Sequence, residues 1–113
     1  MIDEFQIKGL EKLVNSSAIK DIYPMVDKII VLYADIGALG FVKGLDILDF
    51  DIILNDPSIT QKNMYDKGLD PHYLVDYHIK NYLPYMGIDK EKVHLGRVIV
   101  WNPDLDIIFS WDD

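Results

Sequence analysis

Cysteine is absent from this chain of 113 residues. That excludes a disulfide framework, a thiolate metal site and a cysteine nucleophile, and it fits a reducing compartment. Long apolar runs are also missing. The longest, IIVLYADIGALGFV, is interrupted by Asp35, Gly37 and Gly40, well short of the roughly 20 uninterrupted residues that a membrane-spanning helix needs. The beginning, MIDEFQIKGLEKLV, carries acids where a secretory leader carries a basic stretch and then an apolar one. These features predict a soluble protein kept in the cytoplasm. Positive charge is scarce: eleven Lys and Arg face nineteen Asp and Glu, a formal net charge of −8. Such a balance disfavours nucleic acid and anionic lipid as partners and favours a basic one.

Several reaction classes lack their residues. No Gly-x-Ser-x-Gly occurs, so acyl transfer through a nucleophile elbow has no support. Gly37, Gly40 and Gly44 form neither Gly-x-Gly-x-x-Gly nor a Walker loop. The only histidines are His72, His78 and His94. On one helix, His72 and His78 stand about 240° apart and do not share a metal from one side.

What the chain has is enough apolar material for one core. Half of the residues are hydrophobic, and no repeat or linker divides them, so residues 1–113 are expected to form a single domain. Residues 2–15 predict a helix, with Ile2, Ile7, Leu10, Leu13 and Val14 on one side. Ser16 and Ser17 open a short second helix ending near Tyr23, before Pro24. Residues 28–34 suit a strand, although periodicity does not separate so short an apolar run from a helix, and the glycines of 35–45 suit a loop. In 47–54, Leu48, Phe50, Ile52 and Leu54 alternate with Ile47, Asp49, Asp51 and Ile53, the period of a strand with one apolar and one mixed face.

NDPS at 55–58 is a turn, and residues 60–67 make one or two helical turns up to Gly68. Asp70 followed by Pro71 caps a helix that buries Val75, Ile79, Tyr82 and Leu83 and stops at Pro84 or Gly87. Residues 93–101 and 105–111 predict a hairpin around Asn102, Pro103 and Asp104. In its second strand Leu105, Ile107, Phe109 and Trp111 share one face, and Asp106, Ile108, Ser110 and Asp112 the other. The expected fold is α+β: a single, mostly antiparallel sheet of about four strands with helices packed on one face.

The acids are the candidate site. Asp49 and Asp51 project to the same side of a strand, about 7 Å apart from its ~3.3 Å rise per residue. Two carboxylates so placed suit either a divalent cation or a docked basic surface. The stretch GFVKGLDILDFDII resembles the core signature of the nucleotidyltransferase superfamily. That resemblance implies a phosphate-holding loop at Gly40 and Gly44 and a magnesium pair at Asp49 and Asp51, with Asp106 as a third carboxylate. Phe41 stands where those proteins carry a serine, and Lys43 where they often carry a basic residue.

In size, acidity, lack of cysteine and α+β pattern, the whole chain resembles the immunity proteins that bacteria make against their own toxins, in contact-dependent inhibition systems and bacteriocins. The resemblance implies a cytoplasmic, non-enzymatic protein without cofactor or metal, whose partner is a cognate toxin domain with a basic surface, a nuclease whose cleft attracts phosphate and hence also carboxylates. The expected contact residues are Asp46, Asp49 and Asp51 on the mixed strand face, with Asp104, Asp106, Trp111, Asp112 and Asp113 around the terminal hairpin. Tyr73 and Tyr77 are the expected aromatic anchors. A third reading, an inhibitor that mimics nucleic acid in the manner of phage proteins, shares the acidity and differs in its partner.

Overall fold

A computed structural model of the chain describes residues 2–34 and 46–112. The loop expected at 35–45 lies outside the described residues. The order is helix α1 (Glu4–Val14), helix α2 (Ser17–Ile22), strand β1 (Val26–Tyr33), strand β2 (Asp46–Leu54), a helical segment α3 (residues 71–86), strand β3 (Val93–Trp101) and strand β4 (Ile107–Asp112). This is the expected α+β domain with one four-stranded sheet, in the order β1-β2-β3-β4. β1 pairs antiparallel with β2 and β3 with β4, while β2 and β3 run parallel. Two of three pairings are antiparallel. The parallel one requires a crossover, which residues 55–92 supply through α3.

Local chemistry accounts for the element ends. Asp3 and Gln6 form a reciprocal capping box on α1. Asp70 accepts the Tyr73 N–H at the start of α3, with Pro71 at its first turn. Pro84 does not stop α3. The segment changes winding along its length, from an α turn through a π turn at Leu74–Ile79 to 3-10 geometry at Lys80–Met86, and so accommodates the proline before Gly87 closes it at φ 71°. Residues 60–67 make turns held by Asn63.

The helices and the 55–70 connection lie over one face of the sheet. Their Leu10, Val14, Ile19, Met64, Leu69, Leu74, Ile79 and Leu83 meet Ile29, Val31, Leu48, Phe50, Ile52, Leu54, Val98 and Val100 in one fully buried cluster. No polar or charged residue is buried among the described residues. The alternation expected for 47–54 is realised, with Leu48, Phe50, Ile52 and Leu54 in the core. The alternation expected for 105–111 is broken. Leu105 sits in the turn at φ 64°, β4 begins at Ile107, and a bulge opposite Val100 and Trp101 tucks Ile108 against the core. Phe109 and Trp111 keep their expected inward face, while Ile107 is exposed.

α1 also treats the sheet's first edge. Asn15 Nδ2 donates to the Ile29 carbonyl at 2.8 Å, and Asn15 Oδ1 accepts the Ile29 N–H at 2.7 Å. Glu11 Oε2 accepts the Val31 N–H at 2.9 Å. Two side chains of one helix thus stand where a further strand would pair.

Candidate functional site

The helices leave the other face of the sheet open among the described residues, and this face holds part of the expected site. Asp49 and Asp51 project from it beside Ile30, Leu32, Ile53, Ile99 and Trp101, which are half-buried except for the more exposed Leu32. From β4 come Ile107, Ser110 and Asp112. Ile47 lies on the same side but is buried.

Each carboxylate is fixed by a donor from β3. The register of β2 against β3 slips between Leu48 and Phe50, so that Asp49 faces Gly96 and Arg97 together. In that bulge the Arg97 N–H donates to Asp49 Oδ1 at 2.7 Å. Gly96 makes the approach possible: a Cβ there would run into Asp49 Oδ1 and come within 2.9 Å of Ile47 Cγ2. Trp101 Nε1 donates to Asp51 Oδ1 at 3.1 Å. Arg97 reaches across to Asp112, its Nε donating to Oδ1 at 3.0 Å. Its guanidinium is held above its ordinary pKa first by the Asp112 hydrogen bond and charge, then by the charges of Asp49 and Asp51. One cation therefore sits among three acids, both members of its ion pair are exposed, and the face stays net negative.

The other expected contact residues are dispersed. Asp46 has the parity of Leu48 and Phe50, so it faces the helix side and not the Asp49–Asp51 side. There it accepts the Tyr33 hydroxyl, which pushes the Tyr33 pKa up to about 12 because the carboxylate stabilises the protonated phenol. Asp46 lines a depression of about 190 Å³ with Gln6, Asp89 and Lys92. Asp104 and Asp106 are exposed in the β3–β4 turn, where Asn102 Oδ1 accepts the Asp106 N–H and Asn102 N–H donates to the Asp106 carbonyl. Trp111 packs inward against His72, ring centres 4.1 Å apart. Asp113 lies outside the described residues.

Tyr73 and Tyr77 occupy the outer surface of α3, on the far side of the sheet from Asp49. Their rings stack at 4.9 Å with planes 10° apart, and each is about half exposed. His78 stands edge-on to both and to Tyr23. His72 and His78 face different neighbours, in keeping with their separation around the helix axis. Tyr23 is held above its usual pKa by burial, then by the charge of Asp70.

The magnesium arrangement implied by the nucleotidyltransferase resemblance has two of its acids in place, because Asp49 and Asp51 share a side. Asp106 is in the turn beyond β3 and is not joined to them, and among the described residues no three His, Asp or Glu side chains gather for a metal. Gly40, Phe41, Lys43 and Gly44 lie outside the described residues. No helix among the described residues is long and apolar enough to cross a membrane.

Compared with family models, with curated proteins and with solved structures, the chain matches none. The sequence reading overlooked Gly96, Arg97 and Trp101, which position the acids. A glycine inside the strand-like VHLGRVIVW was the available signal, since glycine within a strand marks a bulge or a close approach.

Proposed function

We propose that the chain is a binding protein of the immunity type, which neutralises a toxin domain with a basic surface in the cytoplasm of the cell that makes it. One observation carries the reading: Asp49, Asp51 and Asp112 stand on the open sheet face among half-covered aliphatic side chains and Trp101. An interface that lasts needs a desolvated apolar and aromatic centre, with charge that attracts and orients the partner. Asp49 and Asp51 each spend one oxygen on the protein, which holds them rigid at little further entropy cost when a partner cation arrives. The net charge of −8 adds long-range attraction toward a cationic cleft.

The test is to search the genes neighbouring this one for a basic toxin domain and to co-express and titrate the chain with it; no such gene beside it would count against the reading. Asp49→Asn with Asp51→Asn keeps an acceptor oxygen at each position and removes both charges. The double variant is expected to retain its Tm, to associate with the toxin at least tenfold more slowly at low salt, and to lose much of the wild-type dependence on ionic strength. Wild-type association that is indifferent to salt refutes the reading, as does a double variant that protects as well as the wild type.

A further inference from the structure

The two edges of the sheet are built differently. β1 has the N–H and C=O of Ile29 occupied by Asn15 and the N–H of Val31 by Glu11. β4, at the opposite edge, pairs only with β3, and among the described residues no side chain caps its backbone. Its sequence IIFSWD contains no proline or lysine, the usual blunting residues, and Ile107 is 55% exposed. Carboxylates mark both ends: Asp104 and Asp106 in the turn before the strand, and Asp112 at its finish, exposed and with one oxygen already taken by Arg97.

We propose that β4 is the seat of an added strand, supplied by an extended segment of the partner that carries a cationic residue at each end and apolar or β-branched residues between. This rests on the reading of the chain as a binder of a basic protein and specifies how the partner is held. Backbone hydrogen bonds along β4 provide the attachment, and the acids fix its register. Asp106 and Asp112 are six residues apart, about 20 Å at the rise of a strand, so the cations of the segment are spaced to match. Ser110 and Asp112 face the same side as Asp49, which makes the edge continuous with the open face. A second copy of this chain is the poorer occupant, since each copy brings a charge of −8.

The probes are synthetic peptides of alternating valine and threonine, with a lysine at each end at that spacing. Two further versions have alternate backbone nitrogens methylated, one in each phase, and another has glutamate in place of lysine. Strand addition requires one methylation phase to weaken binding at least tenfold while the other leaves it nearly unchanged, because only alternate N–H groups point at β4. The glutamate peptide is expected to bind at least tenfold more weakly, and Asp106→Asn with Asp112→Asn to weaken the lysine peptide with Tm retained. Amide shifts and added hydrogen-exchange protection should fall on β4. Equal effects of the two phases, shifts centred on β1 or the open face, no binding, or a chain that dimerises through β4 would each overturn the proposal. The toxin titration is separate: peptides docking on β4 while no basic toxin is neutralised would sink the proposed function alone, and the reverse result would sink the edge proposal alone.

Discussion

Gly96→Ala offers a sharp test of how the open face is assembled. The added methyl group would occupy the space in which the Asp49 carboxylate reaches the Arg97 N–H, and would also press on Ile47 Cγ2. Displacing the carboxylate forfeits a charge-assisted hydrogen bond, about 1.5–3 kcal/mol. Alanine in place of glycine returns about 0.5–1 kcal/mol by restricting the unfolded chain. The expected net loss is about 1–2 kcal/mol, or a fall of about 4–8 °C in Tm for a domain of this size. The decisive assay is a double-mutant cycle with Asp49→Ala, followed by thermal and urea unfolding. Once Asp49 is alanine the obstruction at position 96 is largely gone, so the second substitution should be close to neutral and the coupling energy at least about 1 kcal/mol. Equal losses in both backgrounds, or a Gly96→Ala protein as stable as the wild type, would refute the account of the bulge.

Asn15→Ala strips partners from the N–H and C=O of Ile29, a fully buried residue. At about 1–3 kcal/mol for each orphaned group, a loss of about 2–4 kcal/mol is expected in urea unfolding, with faster aggregation by light scattering; a loss under about 0.5 kcal/mol would count against the edge-capping role. Tyr33 has its pKa raised in the folded state to about 12 from an ordinary 10.0. Its contribution is therefore complete below pH 10 and is lost as pH rises from about 10 to about 12. Tyr33→Phe should flatten that part of the stability profile and remove the latest step of the tyrosinate absorbance titration. Asp56 is held below its ordinary pKa by the Ser58 hydroxyl and N–H. Its contribution is present above the unfolded pKa and fades as pH falls through the folded value, so Ser58→Ala should make the acid limb of the unfolding curve shallower.

The parts of this fold that were legible in the sequence are those written by near neighbours. Alternation in ILDFDIIL gives both the strand and the faces of Asp49 and Asp51, Asp70 with Pro71 gives the start of α3, and Asn102–Pro103–Asp104 gives the last turn. The same alternation already assigned Asp46 to the side of Leu48 and Phe50, so its grouping with Asp49 and Asp51 counted proximity along the chain and overlooked the pleat. Other features depend on residues far apart in the chain. The parallel pairing of β2 with β3 follows from where the crossover lands. Asn15 and Glu11 meet β1 across 14 and 20 residues, and Asp49 meets Arg97 across 48. Dispersal of the expected site has the same origin, because composition counts acids and tyrosines without assigning them to layers. Tyr73 and Tyr77 entered the candidate site as aromatic neighbours of acids, and the crossover carries them behind the sheet.

A surface that can be extended at both ends supports unlimited growth, whereas one extendable at a single end supports only one addition. Asn15 and Glu11 occupy the middle of the first strand's outer edge, so two copies joined through their last strands would turn guarded first strands outward. A sister molecule pairing through its own last strand would therefore form a closed pair and not a filament. The two polar side chains of the first helix thereby set the stoichiometry of a contact made at the other end of the sheet.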